Sequence, residues 1–343
     1  MTTVRDYLYK IIICPILIYM TIQEFKQKYS KGINPTDLDL LLEFILKKTK
    51  EFIVINPDYK IPLLNQVRLI LFSNQLRNNK PINYIIGRKG FYGLDFKVDK
   101  HTLIPRPETE QIIDLSKKII TNNSNKMFTI IDLGTGSGNI PITLVKEIRA
   151  LLYDHSILPN SIEQIYASDI SGKALKTAKL NALYHQVRIK FVQGNLLDPF
   201  NKLLTTKITK PVISGCCSNI SVSCNKLSNQ DIKNKILLIT ANLPYLSTEV
   251  YNNTAQNVKK YEPKIALISG VDGLDHYRKL LRQLKKIKSS KNFSFQKTYL
   301  LLEISPEQKS LIRKEIVKIF PNAEITFHKD LAQKWRIITI KII

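Results

Sequence analysis

Apolar residues recur along this chain with two different periods. Short unbroken runs at Phe128–Leu133, Ile236–Ile239 and Tyr299–Ile304 predict strands buried on both faces. Ile165–Ile170 and Ile189–Gly194 predict two more, and Glu324–His328 with Trp335–Ile342 predict a closing pair. Ile140–Ile148 predicts a helix among them, and Leu151–Ser161 a loop insertion. Strands alternating with helices imply an α/β architecture: a mostly parallel sheet, a final antiparallel hairpin and helices on both faces. Nearer the N-terminus the period lengthens. From Thr36, taken as an N-cap, Leu38, Leu41, Leu42 and Ile45 fall on one helical face, and a second helix is expected over Leu63–Leu76. These predict a small helical domain ahead of the sheet. Turn glycines beside β-formers at Lys89–Gly93 predict a hairpin within Lys80–Lys100.

Polar groups then appear where the apolar strands end, which is where open α/β sheets bind ligands. Ile236–Ile239 leads into Asn242-Leu243-Pro244-Tyr245. The Asn242 side chain offers one carbonyl acceptor and the Leu243 backbone a second. Pro244 stiffens the turn, and Tyr245 supplies a flat face. Together they can hold a planar –NH₂ group by both hydrogens, as alkylation of an amide or amino nitrogen requires. An ordinary strand-end turn uses the same residue types. Phe128–Leu133 leads into Gly134-Thr135-Gly136-Ser137-Gly138, where glycines between strand and helix let the backbone approach a ligand closely. The spacing departs from the dinucleotide fingerprint G-x-G-x-x-G. Asp132, just ahead of it, suits a site for S-adenosyl-L-methionine, whose cationic end needs a counter-charge. Asp169 closes Ile165–Ile170, placed either to accept hydrogen bonds from ribose hydroxyls or to cap the helix begun by Ser171-Gly172-Lys173. Asn195-Leu196, after the next strand, would meet an adenine ring.

Composition narrows the partners. At 343 residues and 44% hydrophobic, the chain can build one large domain and one small one. Its net charge of +24 would suit a polyanion. Lysine is nevertheless spread along the whole chain, with no arginine-rich or aromatic-interleaved basic tract, so no stable nucleic-acid partner is expected. The charge would steer encounters with acidic partners. Cys14, Cys216, Cys217 and Cys224 form no Cys-x-x-Cys pair and have no histidine beside them, so no metal site is expected. Reduced thiols and a cytoplasmic location follow. The apolar run Ile11–Tyr19 is shorter than the ~20 residues of a membrane span, and no membrane contact is expected.

The most specific segment is Pro81–Glu110, PINYIIGRKGFYGLDFKVDKHTLIPRPETE. With IIDLGTGSGNI, YEPKIALISGVDGLDHYRKL and LLLEISPEQ in that order, the chain from about Thr21 onward resembles the HemK/PrmC family. These are protein-(glutamine-N5) methyltransferases that modify peptide chain release factors. The resemblance implies a class I S-adenosylmethionine-dependent methyltransferase fold, Rossmann-like with a C-terminal antiparallel hairpin, plus the helical domain. It implies a donor site at Gly134 to Gly138, Asp169 and Asn195-Leu196. It implies an acceptor site at Asn242 to Tyr245 facing Arg106-Pro107-Glu108. The substrate it implies is the glutamine of a Gly-Gly-Gln motif. The expected layout is an N-terminal extension over 1–20, a release-factor-binding domain over 21–80, a joining hairpin over 81–110 and the methyltransferase domain over 111–343, in a monomer. Three features depart from the family pattern. Leu243 stands where proline is usual, Asn195 where an acidic residue is common, and 201–235 is an insertion. The Leu243 form resembles ribosomal RNA adenine dimethyltransferases, which lack the Pro81–Glu110 segment. A nucleic-acid amino-methyltransferase and a non-catalytic module of the same fold are the alternatives.

Overall fold

The computed structural model describes residues 19–159, 161–205 and 235–343. The four cysteines, nearly all of the expected N-terminal extension and most of the 201–235 insertion lie outside the described residues. The chain divides into two compact units, Met1–Gly87 and Arg88–Ile343.

The first unit is helical: α1 Ile22–Tyr29, α2 Pro35–Leu46, α3 Lys50–Ile55, α4 Leu63–Arg77 and α5 Ile82–Ile86. Thr21 and Glu24 close a capping box at the start of α1. Helix α2 begins two residues earlier than expected. Its cap is Asn34, whose Oδ1 accepts from the Thr36 N–H at 2.9 Å, and Thr36 lies inside the helix. Pro35 explains the shift, because its fixed φ is pre-set for the first helical position. Phe25, Leu38, Leu41, Leu42, Ile45 and Leu69 form the core of this unit. The apolar face predicted for α2 is therefore the buried one.

The second unit opens with the hairpin β1 Arg88–Phe91 and β2 Leu94–Lys97, turning at Tyr92-Gly93. The expected joining segment 81–110 is thus composite: helix α5 belongs to the first unit, the hairpin to the second, and a 3₁₀ turn at Pro107–Thr109 ends it. There follow α6 Glu110–Thr121, β3 Met127–Leu133, α7 Asn139–Tyr153, β4 Ile162–Asp169, α8 Gly172–Tyr184, β5 Lys190–Gln193 and α9 Asn201–Thr205. Next come β6 Lys235–Ala241, α10 Thr248–Asn253, α11 Gln256–Tyr261, α12 Asp275–Lys288, β7 Lys297–Glu303, α13 Lys309–Ile319, β8 Glu324–Lys329 and β9 Trp335–Ile342. Helix α7 runs on through Leu151 and Leu152, which pack against the core, so the loop expected from Leu151 begins three residues later.

Strands β3 to β9 form one seven-stranded sheet in the order β5-β4-β3-β6-β7-β9-β8. The first five are parallel, and β9 lies antiparallel to both β7 and β8. This is the class I methyltransferase arrangement. Two apolar clusters cover the two faces of the sheet. The chain builds outward from β3 through β4 to β5, then returns to the other side of β3 with β6 and β7. The strand order therefore reverses between β3 and β6, and a crevice opens beyond their carboxyl ends. Register fixes what meets there. Leu133 pairs with Ala241, and Ala241 with Leu302. Gly134, Asn242 and Glu303 therefore leave three adjacent strands side by side.

Candidate active site

The crevice is a cavity of about 140 Å³. Its lining includes Gly134, Thr135, Gly136 and Ser137 after β3, Asp169 after β4, and Asn195 and Leu196 after β5. Asn242, Leu243 and Pro244 enter from β6, and Thr109 from the 3₁₀ turn. The two halves expected from sequence thus share one chamber.

The glycine loop keeps its shape by turning left-handed at Gly134, Gly136 and Gly138 (φ 67°, 54° and 80°). A Cβ at Gly136 would stand in open space, whereas one at Gly138 would press on Ile142 and Ala178. Gly138 is therefore there for helix packing and lies outside the lining. Asp169 braces the loop: its Oδ2 accepts from the Gly136 N–H at 2.9 Å and its Oδ1 from the Ser171 N–H at 2.8 Å. The cap of α8 is Ser171, whose Oγ accepts from the Ala174 N–H. Burial raises the Asp169 pKa, against three backbone N–H bonds that lower it.

Asp132 sits beneath the cavity rather than in its wall. It is fully buried, and its Oδ1 accepts from the Thr240 hydroxyl at 2.7 Å, tying β3 to β6 just behind the site. Its Oδ2 makes no well-formed hydrogen bond among the described residues, and the Thr135 hydroxyl beside it, like the Thr240 bond, works against a rise in its pKa. Burial, with a smaller push from Asp169, raises Asp132 to about 7. A buried carboxylate below a glycine loop that leaves open space at Gly136 fits a cationic ligand above it.

Beyond β6 the Asn242 amide donates from Nδ2 to Thr109 Oγ1 at 3.0 Å, and Thr109 donates to Glu303 Oε2 at 2.6 Å. The Tyr245 hydroxyl donates to Glu303 Oε1 at 3.2 Å. Tyr245 therefore packs behind the loop and is not among the lining residues. Burial and the neighbouring Glu303 charge raise its pKa. Gln308 Nε2 donates to the Tyr245 carbonyl at 2.8 Å and to the Asp272 carbonyl at 3.1 Å, pinning the turn. The buried Tyr277 hydroxyl bonds the Glu303 carbonyl and lies 3.5 Å from the Leu243 carbonyl. Leu243 is 2% exposed, and its Cδ2 would lie 3.3 Å from a Cβ on Gly134. The residue that replaces the usual proline thus fills the core beneath the glycine loop.

Arg106, Pro107 and Glu108 do not line the cavity; Pro105 and Thr109, on either side, do. Arg106 instead pairs with the buried Glu262 at 2.6 Å. Thr109, Glu303, Tyr277 and Gln308 had no role in the sequence reading. One signal was there: Glu303, like Asp132, is a lone carboxylate closing a buried apolar strand.

No family model matches the chain. Individual relatives do. A release factor glutamine methyltransferase of Dictyoglomus turgidum is 33% identical over 319 residues, 90% of this chain and 93% of that one. One from Clostridium botulinum is 31% identical over 313 residues, 91% and 93% of the two chains. One from Bacillus subtilis is 31% identical over 260 residues, 75% and 74%. Similarity of this depth over nine-tenths of the chain means that the chain belongs to the release factor glutamine methyltransferase family.

Proposed function

We propose that this protein transfers a methyl group from S-adenosylmethionine to the side-chain amide nitrogen of the glutamine in the Gly-Gly-Gln motif of a peptide chain release factor. One observation carries the reading. Asn242, with its Nδ2 tied back to Thr109, shares a cavity with a glycine loop braced by an acidic strand end.

The donor, when bound, supplies a methyl group on a cationic sulfur. Gly134 to Ser137, Asp169, Asn195 and Leu196 would hold it. The chain's remaining task is set by the acceptor, because an amide nitrogen is a poor nucleophile with its lone pair delocalised into the carbonyl. Asn242 Oδ1 and the Leu243 carbonyl would accept its two hydrogens and so orient it. Both carry partial negative charge, which stabilises positive charge as it develops on nitrogen. Holding the nitrogen in one orientation supplies much of the remaining acceleration. Pro244 stiffens the turn, and Tyr245, held by Glu303, backs it.

The test is incubation with methyl-labelled donor and purified release factor, followed by mass spectrometry of the Gly-Gly-Gln peptide. The expected product carries one added methyl on that glutamine. Asn242→Ala should cut the rate on the order of 10²-fold while leaving donor affinity nearly unchanged. An unmodified peptide, alongside methylation of ribosomal RNA in a parallel incubation, would replace the reading with the nucleic-acid alternative, which Leu243 and the net charge favour.

A further inference from the structure

We infer that Glu303, acting through the hydroxyl of Thr109, determines which end of the Asn242 amide faces the cavity. This deepens the proposed function and rests on it.

An asparagine amide is asymmetric: one end accepts hydrogen bonds and the other donates. To hold a substrate –NH₂ by its hydrogens, Asn242 must show Oδ1 to the cavity and turn Nδ2 away. Nδ2 lies 3.0 Å from Thr109 Oγ1. That contact alone leaves the choice open, because a hydroxyl can accept from Nδ2 or, rotated, donate to Oδ1. Glu303 settles it. Its Oε2 is 2.6 Å from Thr109 Oγ1, and an ionised carboxylate only accepts. The Thr109 proton is therefore committed to Glu303, and its lone pair is left for Asn242. The other carboxylate oxygen accepts the Tyr245 hydroxyl at 3.2 Å. One side chain thus fixes the first and last residues of the acceptor loop.

The location argues for a purpose beyond packing. Glu303 is 1% exposed, at the end of a strand whose preceding residues Tyr299 to Leu302 are apolar and buried. A carboxylate is costly there, and core packing alone would favour another aliphatic residue. Burial raises its pKa. The Thr109 bond, the Arg336 charge and the Tyr245 bond, in that order, pull against that rise, and the Glu108 charge adds to it.

Glu303→Gln keeps the shape and removes the constraint. Its amide can donate to Thr109, which frees the Thr109 proton for Asn242 Oδ1 and allows the wrong end of Asn242 to face the substrate. The expected result is a fall in kcat on the order of 10- to 100-fold, with a much smaller change in KM for release factor. Donor affinity by calorimetry and the thermal midpoint should stay as in wild type. Thr109→Val should reproduce the fall in kcat, and Thr109→Ser, which keeps the hydroxyl, should restore it. Wild-type kcat in Glu303→Gln, or equal kcat in the Val and Ser variants, would overturn the inference. Should Glu303→Gln fail to fold, the Val and Ser pair decides alone. If the wild-type protein itself leaves the release factor unmodified, the proposed substrate falls and the orientation argument with it. That outcome is visible before any variant is compared.

Discussion

Single residues at this site divide between those that meet the cavity and those that hold others in place. Asp169 does both, since it lines the chamber and accepts from Gly136 N–H. Asp169→Ala should weaken S-adenosylmethionine binding by ~1.5–3 kcal/mol, the scale of hydrogen bonds to a charged group. Helix α8 should persist, because Ser171 caps it. Calorimetry with unchanged affinity would reduce Asp169 to a local brace. Asp132 makes a pH prediction. Its folded pKa of about 7 lies above its ordinary 3.8, so between those values the folded protein keeps a proton that the unfolded chain has released. Its contribution to stability therefore declines as pH rises through that window and is level above it. Asp132→Asn should flatten that part of the curve, read as the difference between the two proteins' thermal midpoints from pH 4 to pH 7. Parallel curves would mean that Asp132 titrates as an ordinary carboxylate.

Among the elements, the turns after the strands are more constrained than the strands themselves. Gly273 shows how the acceptor turn is held. Its φ is +77°, and a Cβ there would run into the Tyr245 carbonyl and Gln308 Nε2, the two ends of the bond that pins the turn. Gly273→Ala should shift the Asn242–Tyr245 loop and cut methylation at least ~10-fold, since small misplacements at a reacting centre are costly. Donor affinity should change far less, because the glycine loop is braced separately by Asp169. Equal losses in both would mean that the two halves of the cavity move as one. The helix cap teaches a related lesson. Thr36 precedes the apolar face of α2 as a cap would, yet its own N–H donates to the Asn34 side chain across Pro35. Capping depends on which residue leaves the helical conformation, and the pattern of buried leucines carries no information on that.

For the whole molecule, every residue lining the cavity lies in the second unit, Arg88–Ile343. A fragment starting at Arg88 should therefore bind S-adenosylmethionine close to full strength while modifying intact release factor poorly, if the helical unit grips that substrate. Calorimetry and a methylation assay on the fragment separate the two. Full activity of the fragment would leave the helical unit without a part in recognition. Among the described residues no helix is long and apolar enough to cross a membrane.

The sequence by itself determined the sheet, the glycine loop and the turn at Asn242–Tyr245. Buried strands demand unbroken apolar runs, and a backbone that must approach a ligand demands glycine, so both leave local marks. Tertiary structure decided how those marks combine. Register across β3, β6 and β7 set Gly134, Asn242 and Glu303 side by side, although Gly134 and Glu303 are far apart along the chain. It placed Asp132 under the floor of the cavity and moved the wall opposite the acceptor turn from Arg106-Pro107-Glu108 to Thr109. It also built the relay from Glu303 through Thr109 to Asn242. A hydrogen bond's direction depends on all of its neighbours at once, and those neighbours are brought together only when the strands pair.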